Sequence, residues 1–195
     1  MKIAVISDIH ENFHNLVLCF NKIEEQPVEH ILCLGDLMNN GVAKMLAYCG
    51  TPVTAVWGNN DGDRVAITKT ALGEGSQLSV GFTTYDIVKL GGRRLFLTHY
   101  PMLAKPMAKS GEFDAVFYGH NHKKSIEKIN DCLVMNPGEI SAHKIGIASF
   151  AFYDTDDNSA EIVLLDDQVS VKTDLAVEYR KKLGIRLGTS KSHQY

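Results

Sequence analysis

Cysteine is scarce in this 195-residue chain: Cys19, Cys33, Cys49 and Cys132 are all there are. No two stand as C-x-x-C, and all but Cys132 lie in apolar stretches. The spacing predicts reduced, buried thiols rather than a disulfide framework or a cysteine zinc site. Long apolar runs are missing too; none approaches the roughly 18 residues of a membrane span. The N-terminal segment has no basic start, long apolar run or cleavage site, because KIAVI is short and leads into charged residues. A cytoplasmic protein without a membrane partner is expected. Basic charge is not in excess: the net charge is −3, which gives no electrostatic basis for bulk nucleic-acid binding. There is no repeat, linker or low-complexity tract.

What remains is ordinary globular composition, with 45% hydrophobic and 22% charged residues. At this length roughly 70% of the unfolded surface can be buried, so the core needs no covalent staples. A single domain over residues 1–185 is expected, followed by a frayed tail at 186–195.

The apolar pattern alternates between two periods. Residues 2–7 form a short β-branched run that reads as a buried strand. Phe13, Leu16, Val17, Phe20 and Ile23 then recur at three- and four-residue steps, predicting a helix over 12–25 with Asn12 as its cap. Strands at 30–34 and 52–57 flank a helix at 42–48. This strand–helix order implies a parallel sheet with right-handed crossovers. A short helix (64–72) and a Gly/Ser-rich loop follow. Strands at 84–90 and 93–98 are joined by Gly91-Gly92, a hairpin signal. A helix at 101–110, strands at 114–118, 124–129 and 132–135, and the turn Asn136-Pro137-Gly138 come next. A meander at 147–153, 160–165 and 169–173 and a short helix at 175–183 complete the pattern. The expected architecture is one α/β sandwich with two sheets in its middle. Trp57 and Phe117 read as core, and Lys123, Lys124 and Lys128 as a solvated strand face.

Chemistry-bearing residues gather where strands end. Asp8, His10, Asp36, Asn59, His99, His120 and His122 all follow predicted strands, the place where α/β sheets bind ligands. Two carboxylates, four imidazoles and one carboxamide can share two metal ions, with one carboxylate bridging. Mixed nitrogen and oxygen donors suit Mn, Fe, Co, Ni or Zn better than Mg or Ca. Two divalent ions against two carboxylates leave a net charge of about +2, open to an anion such as a phosphate ester.

A competing pattern overlaps this set. HENFH, residues 10–14, matches the H-E-x-x-H signature of zinc proteases, which needs both histidines on one helical face. A cap at Asn12 puts His10 in the loop instead, and a protease would leave the other six residues without a role. His14 is then expected on the helix surface, with a supporting place beside the phosphate pocket as the alternative, and His30, His143 and His193 on the protein surface.

The ordered set D-x-H (Asp8, His10), G-D (Gly35-Asp36), G-N-x-D (Gly58 to Asp61), a lone His99 and G-H-x-H (Gly119 to His122) resembles the calcineurin-like metallophosphoesterases. The resemblance is to their small single-domain phosphodiesterase branch, and the NPG turn extends it over most of the chain. It implies a four-layer αββα sandwich with two mixed β-sheets. It implies that Asp8, His10, Asp36 and His122 hold one metal, that Asp36 bridges, and that Asn59, His99 and His120 complete the second site. Asn12 and Asp61 are expected to support these ligands. The implied reaction is hydrolysis of a small phosphate ester, most simply a diester, with hydroxide bridging the two ions attacking phosphorus. Alternatives are a phosphomonoesterase, a nucleotide pyrophosphatase, or a protein-binding scaffold like the retromer subunit that resembles this branch. A nuclease is disfavoured by the absence of a basic groove. Small members of the branch often associate, so a homo-oligomer is compatible.

Two positions depart from the family pattern. Many members have histidine at Asn60, where it helps protonate the leaving group. An amide offers only hydrogen bonds at neutral pH, so Asn60 is expected to contact the phosphate without acting as an acid. Glu139 stands where serine is common, and a surface turn residue is expected there, with a substrate-facing role as the alternative.

Overall fold

The computed structural model describes residues 1–170. The expected helix at 175–183, the tail and most of the third meander strand lie outside the described residues.

The described residues form eleven strands and four helices. The first half runs β1 (Lys2–Ile6), α1 (Phe13–Glu24), β2 (Val28–Cys33), α2 (Asn40–Ala47), β3 (Val53–Ala55), α3 (Arg64–Ala71) and β4 (Leu78–Val80). The second half runs β5 (Tyr85–Leu90), β6 (Arg93–Thr98), α4 (Pro101–Lys109), β7 (Ala115–Tyr118), β8 (Ser125–Ile129), β9 (Cys132–Asn136), β10 (Ser149–Asp154) and β11 (Ser159–Leu164). One sheet has the order β11-β10-β1-β2-β3-β4 and the other β5-β6-β7-β9-β8. Both are mixed: β1 to β4 run parallel, while β10 and β11 join antiparallel. In the second sheet β6, β7 and β9 run parallel between two antiparallel edge strands.

Alternation along each strand builds the layers, because successive side chains face opposite ways. From β1, Ile3 and Val5 point towards the second sheet and pack with Leu97, Phe117, Met135 and Tyr153. Ala4 and Ile6 point the other way, into a cluster with Leu16 and Cys19 of α1 and Val42 and Leu46 of α2. The second sheet repeats this: Phe96, Val116 and Val134 face Ala104 and Ala108 of α4. The result is the expected four layers, α1–α3, sheet, sheet, α4. Trp57 and Phe117 are core residues, and Lys123, Lys124 and Lys128 are exposed, as expected.

The helix over 12–25 is observed as α1, and the Asn12 side chain caps it by accepting from the Asn15 N–H. β4 lies where the sequence suggested only a loop. It has three residues and pairs with β3 alone, so too little of it exists to leave a period. Cys19, Cys33 and Cys132 are buried and none of the four thiols is paired. Burial pushes all four up, the Cys132 thiol to about 11.

Candidate metal centre

Both sheets point the C-terminal ends of their parallel strands at one place. Asp8 and His10 follow β1, Asp36 follows β2, and Asn59 follows β3 of the first sheet; His99 follows β6, and His120 and His122 follow β7 of the second. Backbone bonds join these loops. The Ile9 and His10 N–H groups donate to the Asp36 carbonyl, and the Gly119 N–H donates to that of His99. Close approach is essential here. A Cβ at Gly58 would lie 2.1 Å from Asp36 Oδ1, and one at Gly119 would lie 2.1 Å from Ser7 Oγ.

The seven residues converge. His122 Nε2 lies 3.3 Å and His10 Nε2 3.7 Å from Asp8 Oδ1. The His10 and His122 rings stack with centroids 5.1 Å apart. Asp36 Oδ2 lies between two imidazoles, 3.4 Å from His10 Nε2 and 3.5 Å from His99 Nε2. Asn59 Oδ1 sits 3.0 Å from His99 Nε2 and 2.8 Å from His120 Nδ1. Two overlapping groups have ligand atoms close enough to share an ion: Asp8, His10 and His122, and Asp8, Asp36 and His99.

The donor set fits cations better than it fits itself. Asp8 Oδ2 is satisfied by the Ser7 hydroxyl and the His120 N–H. Asp8 Oδ1 and His10 Nε2 are buried without a hydrogen-bond partner. A buried, unpaired carboxylate oxygen is costly, and a metal ion between such atoms removes the cost. Asp8 is fully buried. Burial works to raise its pKa, but the facing imidazoles of His10, His122 and His99 and the Ser7 hydroxyl outweigh it and hold it below the ordinary value. Burial works to lower the His10 pKa, and Asp8 and Asp36 outweigh it, so the imidazole is raised. His120 moves down, through burial and then the nearby His99.

Backbone strain concentrates in the same residues. Asp8, His10, Asp36, His120 and His122 have φ between 44° and 70°, a left-handed conformation that costs a non-glycine residue about 1–2 kcal/mol. Such strain persists only where surrounding structure imposes it, and it clusters at functional sites.

The supporting residues divide. Asp61 is buried and accepts from the backbone N–H groups of Asp36, Gly58 and Met38, so it pins two of the loops together. Asn12 donates to the carbonyls of Ser141 and Val169 and caps α1; these side-chain hydrogen bonds reach none of the seven residues. Asn60 is exposed at the rim and donates to both Asp36 oxygens, from its backbone and its side chain, at 2.8 Å each. His10 lies before α1 begins, which removes the helical geometry that HENFH would require. His14 is on the helix surface, against the Asp167 carbonyl.

Glu139 corrects an expectation. It is not a surface turn residue: it is fully buried, and its Oε2 accepts from His122 Nδ1 at 2.5 Å. The reason is local. Its carboxylate turns inward to meet the Ser141 hydroxyl and the N–H groups of His143, Lys144 and Ile145. Burial works to raise its pKa; the bonds from His122, Ile145, Ser141 and Lys144 outweigh it and hold the carboxyl at about 2. His143, expected on the surface, is half-buried with its ring 6.1 Å from that of His10. Neither residue carries a sequence signal, because each meets the site through folding alone. Beside His122 opens a hollow of about 180 Å³ lined by Lys123, Lys124, Ile145, Ile147 and Ser149.

Two facing mixed sheets with carboxylates and imidazoles at their shared strand ends define a metallophosphoesterase domain. The family model for the calcineurin-like phosphoesterase superfamily domain matches residues 1–158, and the chain belongs to that superfamily. Among individual proteins, it is 29% identical over 168 residues to a phosphodiesterase of Methanocaldococcus jannaschii, covering 85% of this chain and all of that one. Among solved structures, an archaeal phosphodiesterase superposes with a TM-score of 0.78 at 28% identity, again over 85% of this chain and all of the other. A phosphoesterase from E. coli superposes at 0.63 with 24% identity over the same shares, a likeness of fold.

Proposed function

We propose that this superfamily member is a two-metal phosphodiesterase acting on a small phosphate ester. The observation that carries the reading is the pair of buried, unpartnered atoms, Asp8 Oδ1 and His10 Nε2, inside a ring of further donors. Asp8, His10, Asp36 and His122 would hold one ion and Asn59, His99 and His120 the other. The position of Asp36 Oδ2 between His10 and His99 supports a bridging role. The donor mix suits Mn, Ni, Fe, Co or Zn, and manganese is the first ion to try. When bound, two such ions offset phosphoryl charge and make a water acidic enough to attack phosphorus near neutral pH.

The chain's own residues set the preference for diesters. Asn60 stands at the rim, donates a hydrogen bond and holds no transferable proton, so a leaving group must depart with little help. Lys123 and Lys124 line the adjacent hollow and would draw in an anion. The likeness to proteins named as phosphodiesterases, in sequence and in structure, supports the same choice over a phosphomonoesterase or nucleotide pyrophosphatase. A scaffold role predicts an eroded site, whereas all seven donors are present and gathered. The four unpaired thiols accord with a cytoplasmic setting.

The test is hydrolysis of bis-p-nitrophenyl phosphate by protein reconstituted with Mn²⁺. Asp36→Ala and His120→Ala should each abolish metal-dependent turnover. Undiminished turnover in either variant would sink the assignment.

A further inference from the structure

We propose that Glu139 is a positioning residue of the metal centre, which fixes the tautomer and direction of His122. The proposal rests on the two-metal reading above. Its basis is one short bond and what that bond leaves exposed. His122 Nδ1 meets Glu139 Oε2 at 2.5 Å. A carboxylate only accepts, so Nδ1 carries a proton, and in the neutral imidazole that binds metal Nε2 then presents its lone pair. Nε2 faces Asp8 Oδ1 at 3.3 Å, the oxygen that has no hydrogen bond.

Glu139 is held too firmly to swing aside. The Ser141 hydroxyl donates to Oε2 at 2.7 Å, and the Ile145 N–H donates to Oε1 at 2.6 Å. The N–H groups of His143 and Lys144 donate at 3.1 Å. The same loop is tied to the first ligand strand, because the Ile140 and Ser141 N–H groups donate to the carbonyls of Ser7 and Asp8. A residue that merely capped the 143–145 turn would be satisfied by those N–H groups. The bond to His122 is the one the turn does not need.

The comparison within the site sharpens the point. His99 is oriented in the same sense, Nδ1 donating to the Leu34 carbonyl at 2.7 Å and Nε2 facing Asn59 and Asp36. Its acceptor is neutral. The acceptor of His122 is a carboxylate, which makes the imidazole a stronger donor to a cation and places an extra negative charge behind it. The His122 ion should therefore bind the more tightly for Glu139.

Calorimetric titration of metal-free protein with Co²⁺, followed also by visible absorption, tests this. Wild-type protein should take up two ions. Glu139→Gln should weaken one of them about 10–100-fold and alter the absorption band of that ion. In a His122→Ala background the same change should add no further loss. Wild-type affinities in Glu139→Gln, or an equal loss with and without His122, would overturn the proposal. If Glu139→Gln does not fold, ¹⁵N spectra of the wild-type histidines decide: an Nδ1-protonated His122 supports the proposal and an Nε2-protonated one ends it. Wild-type protein that binds no ion would instead overturn the metal-centre reading, and this inference with it.

Discussion

Asn60 donates to Asp36 from both its backbone N–H and its side-chain amide. An amide in that position steadies the Asp36 carboxylate and offers no proton to a departing alkoxide. General acid catalysis is worth about 10²–10⁴-fold, and esters with poor leaving groups suffer most from its absence. Asn60→His is therefore expected to raise kcat/KM for alkyl esters by at least about tenfold while leaving nitrophenyl esters nearly unchanged. A plot of log kcat/KM against leaving-group pKa, flatter in the variant, checks this. Single residues were unevenly legible in the sequence. Asp8, Asp36, His99, His120 and His122 each follow a β-branched or aromatic run, so the strand announces them. Glu139 does not, since the partner that explains its burial is His122, seventeen residues away and on another loop. His143 is the same kind of case, reaching His10 only once the loop has folded.

The loop between strand and helix is the element that builds the site, and its construction leaves no spare volume. Gly58 packs its backbone against Asp36; an added Cβ would stand 2.5 Å from the Asp36 nitrogen as well as against its carboxylate. Backbone cannot yield as a flexible side chain can. Gly58→Ala is expected to cost about 1–3 kcal/mol of stability and to weaken metal binding, measured by denaturant unfolding and by titration. Elements with a strong period were legible from the sequence: α1 by its three- and four-residue steps, β5 and β6 by the Gly91-Gly92 turn between them. The three-residue β4 was not. β4 is fixed by hydrogen bonds to β3, which is a fact of pairing and not of pattern.

At the scale of the molecule, the site depends on two sheets keeping their relative places. The contact between them is apolar, and Phe117 stands in its middle with its ring edge-on to Tyr153, centroids 5.0 Å apart. Phe117 also lies on β7, two residues before the Gly119–His122 turn. Phe117→Ala is expected to destabilise the protein by about 3–5 kcal/mol and to lower metal affinity out of proportion to other core truncations. Urea unfolding and calorimetry on one sample read both effects. That architecture was legible because strand–helix alternation dictates parallel pairing. Two sheets inside an α/β sandwich were legible there too, whereas the four-layer order came from resemblance, since the strand pattern alone does not say which strands share a sheet. The five left-handed residues among the site's donors carry a last implication, for inheritance. At about 1–2 kcal/mol each they draw on a reserve that totals only about 5–15 kcal/mol in an ordinary domain. Selection for turnover must hold them in place. A lineage released from that demand would gain stability by losing them, so the drift from enzyme towards inert scaffold runs thermodynamically downhill on this fold.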